Sequence, residues 1–421
     1  MSSKRTVPLA LVSLLMIFAV GASPSARAGQ QAGLFSSPSL RIAADRAAVL
    51  QPSSTDPRYR RSRLALLDTP LLVSSRLQAS VTFNLFDDVT LEIVFDEIIS
   101  HGRQGHSFLG RVAGQSVSSV LFEQIDEVVV GAIHIPGAQY VVRFAGNGLH
   151  SIHEVRFDTS APVDDFINVQ SGEAAPAALD LNRAGKKKKF NYLGVYTQAA
   201  LNAQGGKKGI KATARATVTK LNAGLKAQKV KHVVKFKGVK KVKGADDGNL
   251  TNALNGVTNQ NDGVYDETGK FRNQKAADFV GIYIVGDGTG FGFCGLGWRP
   301  FTYNPTNERF GYHSVREDCN ARGGGNTGAH EALHNMGGCH PNVAGDGCFN
   351  GTTPNGGSDH AFVSFAANFT TLLGTGAVCA TCVRLATVSG PRRFQGAKVT
   401  DANSKINVLV NNGAATYAGY R

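Results

Sequence analysis

No cysteine occurs in the first 293 residues of this 421-residue chain, and the whole of it holds one tryptophan and three methionines. Beyond the N-terminal segment, no apolar run reaches the ~18–20 residues that a membrane-spanning helix needs, which excludes a multipass membrane protein. Biased composition is missing as well. With 42% hydrophobic and 18% charged residues, 49 Gly and 14 Pro, the chain is neither disordered, collagen-like nor coiled coil. Its length predicts two or three domains at roughly 100–200 residues each.

Acidic side chains are in deficit, 31 Asp and Glu against 45 Lys and Arg, and the imbalance is uneven. Residues 1–189 carry 19 basic and 17 acidic groups (+2), leaving 26 against 14 (+12) for 190–421. The basic surface belongs to the second half. The one long apolar stretch, Val7 to Val20, follows Lys4 and Arg5 and leads to Ala26-Arg27-Ala28, a small-x-small cleavage pattern. Residues 1–28 are therefore read as a secretory signal peptide, and the protein as secreted. All six cysteines (Cys294, Cys319, Cys339, Cys348, Cys379, Cys382) lie in the last third. An even count outside the reducing cytosol predicts three disulfides, with all 15 pairings open.

From about Ala79 to Phe157 the sequence alternates as strands do, in "VTFNLF", "SFLGRVAG", "SSVLFE", "EVVVGAIHI", "QYVVRF" and "SIHEVRF", separated by Gly, Asn and Pro turn signals. This predicts a small β-rich domain, with residues 29–78 a loosely held leader. Asp158–Lys189, rich in Pro, Ala and Asp and ending in "GKKKK", has the composition of an exposed linker and marks a domain boundary. Beyond it, "FNYLGVYT" reads as a strand. Ile210, Ala214, Val218, Leu221 and Leu225 then recur at helical spacing, "VKHVVKFKGVKKV" reads as a half-exposed strand, and "ADFVGIYIV" as a fully buried one. Interleaved strands and helices predict an α/β domain over 190–421.

Sixteen lysines fall between Lys186 and Lys243. The simplest reading is a solvated helix face and a lysine-protected edge strand; steering of acidic partners is the functional alternative. Phe236 is the only aromatic from Thr197 to Thr258, so specific nucleic-acid binding through base stacking is poorly supported. His150 and His153 are read as exposed strand residues, and His232 and His313 as isolated.

The chemistry is concentrated in "GAHEALHNMGGCHP". His330, Glu331 and His334 form HExxH, and Gly337 with His340 extends it to HExxHxxGxxH. Two histidines four apart on a helix share one face and reach one tetrahedral Zn²⁺. Gly337 lets the chain leave the helix sharply, with positive φ, so that His340 returns as third ligand and a fourth position is left for water. Glu331 is placed to take that water's proton and deliver it to a leaving amine. Five specified positions make a far more specific signal than HExxH alone.

That signature resembles the metzincin metallopeptidases. "LFDDVTLEIVFDEI", "GAIHIPGAQYVVRF", "LGVYTQAALNAQGG" and "ADFVGIYIV" extend the resemblance to bacterial secreted reprolysin-like peptidases of the peptidyl-Asp metalloendopeptidase type, from about Ala79 to the C-terminus. The resemblance implies an α/β (α+β) metzincin-like catalytic domain at 190–421, with a twisted, mostly parallel sheet and backing and active-site helices. Ahead of it would lie a small β-rich propeptide at 29–189. His330, His334 and His340 would bind Zn²⁺, and Glu331 would act as general base on protein or peptide substrates cut near acidic residues. Two departures stand out. Pro341 follows the third histidine where Asp is usual, and Leu373 of "FTTLLGTG" takes the position of the family's turn methionine beneath the zinc. No propeptide thiolate is available between Gly29 and Lys189 for latency, and cleavage between Asp158 and Lys189 is expected to release the mature chain. The alternative is a catalytically impaired, metzincin-like secreted binding or adhesion protein that uses its basic face.

Overall fold

Alternating apolar and polar residues build long antiparallel strands in the N-terminal half. A computed structural model describes residues 33–38, 57–74, 80–156, 166–169, 186–286, 293–300, 303–343, 359–376 and 378–421; the expected signal peptide lies outside them. The first nine strands are β1 (Phe35–Ser36), β2 (Tyr59–Leu67), β3 (Val81–Phe86), β4 (Val89–Ser100), β5 (His106–Val112), β6 (Ser119–Ile125), β7 (Val128–Ile135), β8 (Ala138–Gly146) and β9 (Leu149–Val155), with a short helix α1 (Thr69–Ser74). They form one sheet in the order β1-β2-β9-β8-β7-β6-β5-β4-β3, antiparallel at every pair. The β8–β9 turn is Asn147-Gly148, both at positive φ (51° and 75°), which suits a two-residue hairpin loop between right-twisted strands.

The ends of this sheet meet. Leu34 N donates to Thr82 O at 3.0 Å, and Asn84 brackets Phe35, its Oδ1 accepting from the Phe35 amide at 2.9 Å and its Nδ2 donating to the Phe35 carbonyl at 2.6 Å. The curled sheet encloses Phe83, Phe108, Phe122, Ile133 and Ile152, all under 2% exposed.

The expected architecture is therefore corrected. Among the described residues the largest sheet is nine-stranded, wholly antiparallel and nearly closed, in place of a metzincin-like, mostly parallel α/β fold with a small β-rich appendage. β1 and β2 come from the stretch read as a loose leader. β2, "YRRSRLALL", breaks apolar alternation at its arginines yet pairs along β9 from Tyr59 to Leu66.

A second sheet has six strands: β10 (Phe166–Val169), β11 (Lys189–Tyr196), β12 (Val233–Lys241), β13 (Phe279–Ile284), β14 (Gly295–Pro300) and β15 (Tyr312–Arg316), in the order β10-β14-β15-β13-β11-β12. Only β14 and β15 pair antiparallel. β12 holds the edge opposite β10, so its lysines lie four strands from β14. Among the described residues seven helices accompany it: α2 (Gln198–Ala203), α3 (Lys207–Ala227), α4 (Leu250–Thr258), α5 (Glu267–Lys275), α6 (Glu317–Arg322), α7 (Asn326–Asn335) and α8 (Ile406–Tyr417). No helix among the described residues is long and apolar enough to cross a membrane.

Helix α3 joins the two sheets and is buried on more than one face. Ile210, Ala214, Leu221 and Leu225 are fully buried at their predicted spacing. The remaining turns face the nine-stranded sheet, where Ala212 packs on Val128 and Val130, and Ala216 on Leu109 and Leu121. Polar groups cross the same boundary. Arg215 Nε pairs with Glu123 Oε2 at 2.5 Å, Thr219 donates to Glu123 Oε1 at 2.5 Å, and Lys220 Nζ donates to Ser119 Oγ at 2.7 Å. Lys220, read as part of a solvated lysine face, is 2% exposed, and burial together with Arg384 pushes its pKa down to about 7.

Candidate metal centre

Helix α7 carries the motif because the chain in front of it crosses α3 closely. Gly325 caps the helix at φ 80°, against the Ala216–Thr217 backbone, and a Cβ on Gly328 would stand 2.9 Å from Thr217 Cγ2. Side chains at either glycine would push α7 away from α3. The helix buries all ten residues, so both histidines and Glu331 project into the protein.

The structure brings His330, His334 and His340 together. Their Nε2 atoms lie 3.0 Å apart for His330–His334 and 3.1 Å apart for both pairs with His340, and all three side chains are at most 3% exposed. Gly337 has φ 84°, and its amide donates to His334 O at 2.7 Å while Gly338 N donates to Leu333 O at 2.9 Å. This turn ends the helix and returns the chain. Backbone carbonyls then fix the rings: His330 Nδ1–H donates to Leu372 O at 3.0 Å and His334 Nδ1–H to Gly338 O at 2.8 Å, so the Nε2 of each carries the lone pair and is turned towards the other rings. Three converging imidazoles, two of them with the second nitrogen held by a carbonyl, are a donor set that fits Zn²⁺.

Leu373 is 1% exposed and lies under the ligand turn, where a Cβ on Gly338 would come 2.6 Å from its Cδ1. It shares a cluster with Leu333, Met336 and Ile406, and Tyr417 Oη of α8 ties this layer down by donating to Met336 O at 2.6 Å. Glu331 faces β14. A Cβ on Gly297 would stand 3.1 Å from Glu331 Oε2 and 3.4 Å from His334 Cβ, so the Gly295-x-Gly297 spacing in "GLGWRP" leaves room for the carboxylate.

Three residues beside the site carried no signal in the motif. Arg299 of β14 donates from Nε to Gly337 O (3.2 Å) and Gly338 O (3.1 Å) and from Nη2 to Asp359 Oδ2 at 2.8 Å, holding the turn that presents His340. Phe166 of β10 lays its ring 4.8 Å from that of His334 and 5.2 Å from that of His340. The segment read as an exposed linker thus contributes a buried aromatic. Only its "FINV", an apolar patch in a Pro, Ala and Asp-rich stretch, hinted at this.

The other histidines take structural places. His150 and His153, expected on an exposed strand face, are each 1% exposed: His150 Nε2 accepts from Val129 N at 3.1 Å, and His153 stacks on Tyr59 at 4.3 Å. His313 bonds Asn335 Oδ1 (2.7 Å) and Tyr192 Oη (3.0 Å), and burial pushes its pKa down to about 4. Among the cysteines, Cys294–Cys319 and Cys379–Cys382 are disulfides and Cys339 is disulfide-bonded. Residues 287–292, "DGTGFG", lie outside the described residues.

No family model and no curated protein matches the chain. Among solved structures, one described as "Structure of a chaperone-substrate complex" is similar over 73% of this chain and 41% of its own, at 14% identity and a TM-score of 0.43. The chain spans well under half of that protein's length, and a likeness of this degree bears on neither mechanism nor partner.

Proposed function

We propose that the protein is a secreted, zinc-dependent endopeptidase made as a proenzyme. The observation that carries this reading is the convergence of the His330, His334 and His340 Nε2 atoms to within 3.1 Å of one another, beside a buried glutamate. A carbonyl holds the second nitrogen of His330 and of His334, which aims both Nε2 atoms at the point they share with His340. The motif's resemblance to the metzincin peptidases points the same way.

When bound there, Zn²⁺ supplies Lewis acidity, polarising the scissile carbonyl and acidifying a water. The chain's own residues do the rest. His330 and His334 hold their rings in one orientation through Leu372 O and Gly338 O, so the donor set is organised before substrate arrives. Glu331 takes the proton of the attacking water and returns it to the departing amide nitrogen. β14 runs past this carboxylate with glycines at 295 and 297, giving an extended peptide a close approach. The Cys294–Cys319 disulfide, clamping the segment before β14 to α6, supports an oxidising destination and with it secretion. Protein or peptide substrates follow from the reaction class.

Glu331→Gln tests the reading. It removes the base and no ligand, so hydrolysis of a casein or peptide library by processed protein should fall by at least about 10²-fold, with zinc content and circular dichroism unchanged. Hydrolysis undiminished in this variant refutes Glu331 as base. Retained zinc with no hydrolysis in the parent protein favours the binding-scaffold alternative.

A further inference from the structure

The geometry points to Phe166–Val169 as an internal occupant of the peptide-docking edge: a strand of the N-terminal part that holds the metal centre shut with an aromatic ring. This inference rests on the endopeptidase reading and adds the regulation of that site.

β14 has two long edges. β15 pairs antiparallel along one, and β10 parallel along the other, with Phe166 opposite Gly297, Ile167 opposite Trp298, Asn168 opposite Arg299 and Val169 opposite Pro300. Without β10, the backbone groups on that side of β14 are unpaired, next to the histidines. A free sheet edge is a template for an extended segment, with main-chain pairing supplying affinity and pockets for alternate side chains supplying register. β10 uses both. Phe166 is 8% exposed, packs on Cys339 and two ligand imidazoles, and lies under the Arg299 guanidinium at 5.6 Å. Ile167, on the other face, joins the cluster of Trp298 and Leu296. Asn168 Oδ1 accepts from Arg299 Nη1 at 3.2 Å.

Register decides what is blocked. The residue opposite Phe166 is Gly297, the position whose Cβ would stand 3.1 Å from Glu331 Oε2. The first residue of β10 is therefore level with the general base, where a substrate's reacting bond has to lie. The Phe166 ring carries no ligand atom, and its own part in closing the site is to fill volume beside His334 and His340 and exclude water. Latency without a cysteine, demanded by the absence of any between Gly29 and Lys189, has a physical means.

The test compares the full zinc-loaded chain with its Phe166→Ala and Ile167→Asp variants on a short fluorogenic peptide, with chelator controls. Opening the edge should raise turnover by at least about tenfold over the unprocessed parent. A synthetic peptide of the sequence Asp164–Ser171, added to Phe166→Ala, should suppress it again. Amide hydrogen exchange on the parent gives a readout without turnover: 167–169 should exchange at least about tenfold more slowly than the same free peptide. Equal turnover in parent and folded variants overturns the inference and leaves the endopeptidase reading standing. Exchange at the free-peptide rate overturns it even where a variant fails to fold. Absence of chelator-sensitive hydrolysis in every form, including parent nicked by protease between 170 and 185, defeats the endopeptidase reading and this one with it.

Discussion

Arg215→Met is the substitution whose cost the structure prescribes most fully. Arg215 is 3% exposed on α3, and its guanidinium makes three bonds into the nine-stranded sheet: to Glu123 Oε2 at 2.5 Å, Gln104 O at 2.6 Å and Gln124 O at 2.8 Å. Methionine keeps the stem's packing and removes all three. Glu123 is fully buried and retains Thr219 as a donor, but burial, which already raises its pKa against the opposing pull of Arg215, then acts without that cation. Removing one member of a buried pair typically costs about 3–5 kcal/mol. The sign with pH follows. An acid whose folded pKa lies above its unfolded value costs stability as pH rises past the unfolded value, so the loss should be larger at pH 8 than at pH 5. Urea midpoints followed by circular dichroism at the two pH values measure it. Glu123→Leu/Arg215→Met, which buries no unpaired charge, should return to within about 1 kcal/mol of the parent. A single variant within ~0.5 kcal/mol of the parent at pH 8, or a loss independent of pH, refutes the argument.

His334→Ala removes one of three ligands, so elemental analysis should find zinc well below the parent's stoichiometry; undiminished zinc refutes the ligand set. Lys220, whose pKa burial pushes down to about 7, makes stability rise with pH between about 7 and its ordinary value near 10.5, because over that range the unfolded chain binds the extra proton. Lys220→Met should flatten that dependence and raise stability at pH 6; a thermal-unfolding series with the same slope as the parent contradicts it.

Legibility in the sequence varied with the kind of signal. The convergence of His330, His334 and His340 was legible because shared ligation asks for particular residue types at fixed spacing, with Gly337 at the turn between them. α3 was legible through Ile210, Ala214, Val218, Leu221 and Leu225, yet its second buried face was not. Ala212, Ala216, Arg215 and Lys220 have no apolar period, and burial there depends on Glu123 and Ser119, nearly 100 residues upstream. The nine-stranded sheet was seen in part. β2 hides behind arginines, of which Arg60 and Arg61 are met by Glu154 and Asp88 while Arg63 bonds the carbonyls of Asn84 and Leu85, and β1 is two residues long. β10 was lost because four residues cannot establish a period, and what makes them a strand is the edge of β14.

The chain order of β10 has a kinetic consequence. It stands after β9 and before β11, so a cut anywhere in 170–188 leaves it attached to the nine-stranded sheet, which Arg215, Thr219 and Lys220 of α3 still grip. Cutting the backbone then changes molecularity before it changes occupancy. An intramolecular plug, held at an effective concentration on the order of mM, becomes one half of a two-chain complex. From that moment the freed fraction depends on total concentration and elapsed time. On the reading proposed above, a cleaved sample would gain activity sooner and more fully when dilute than when concentrated, at the rate at which the severed sheet leaves α3.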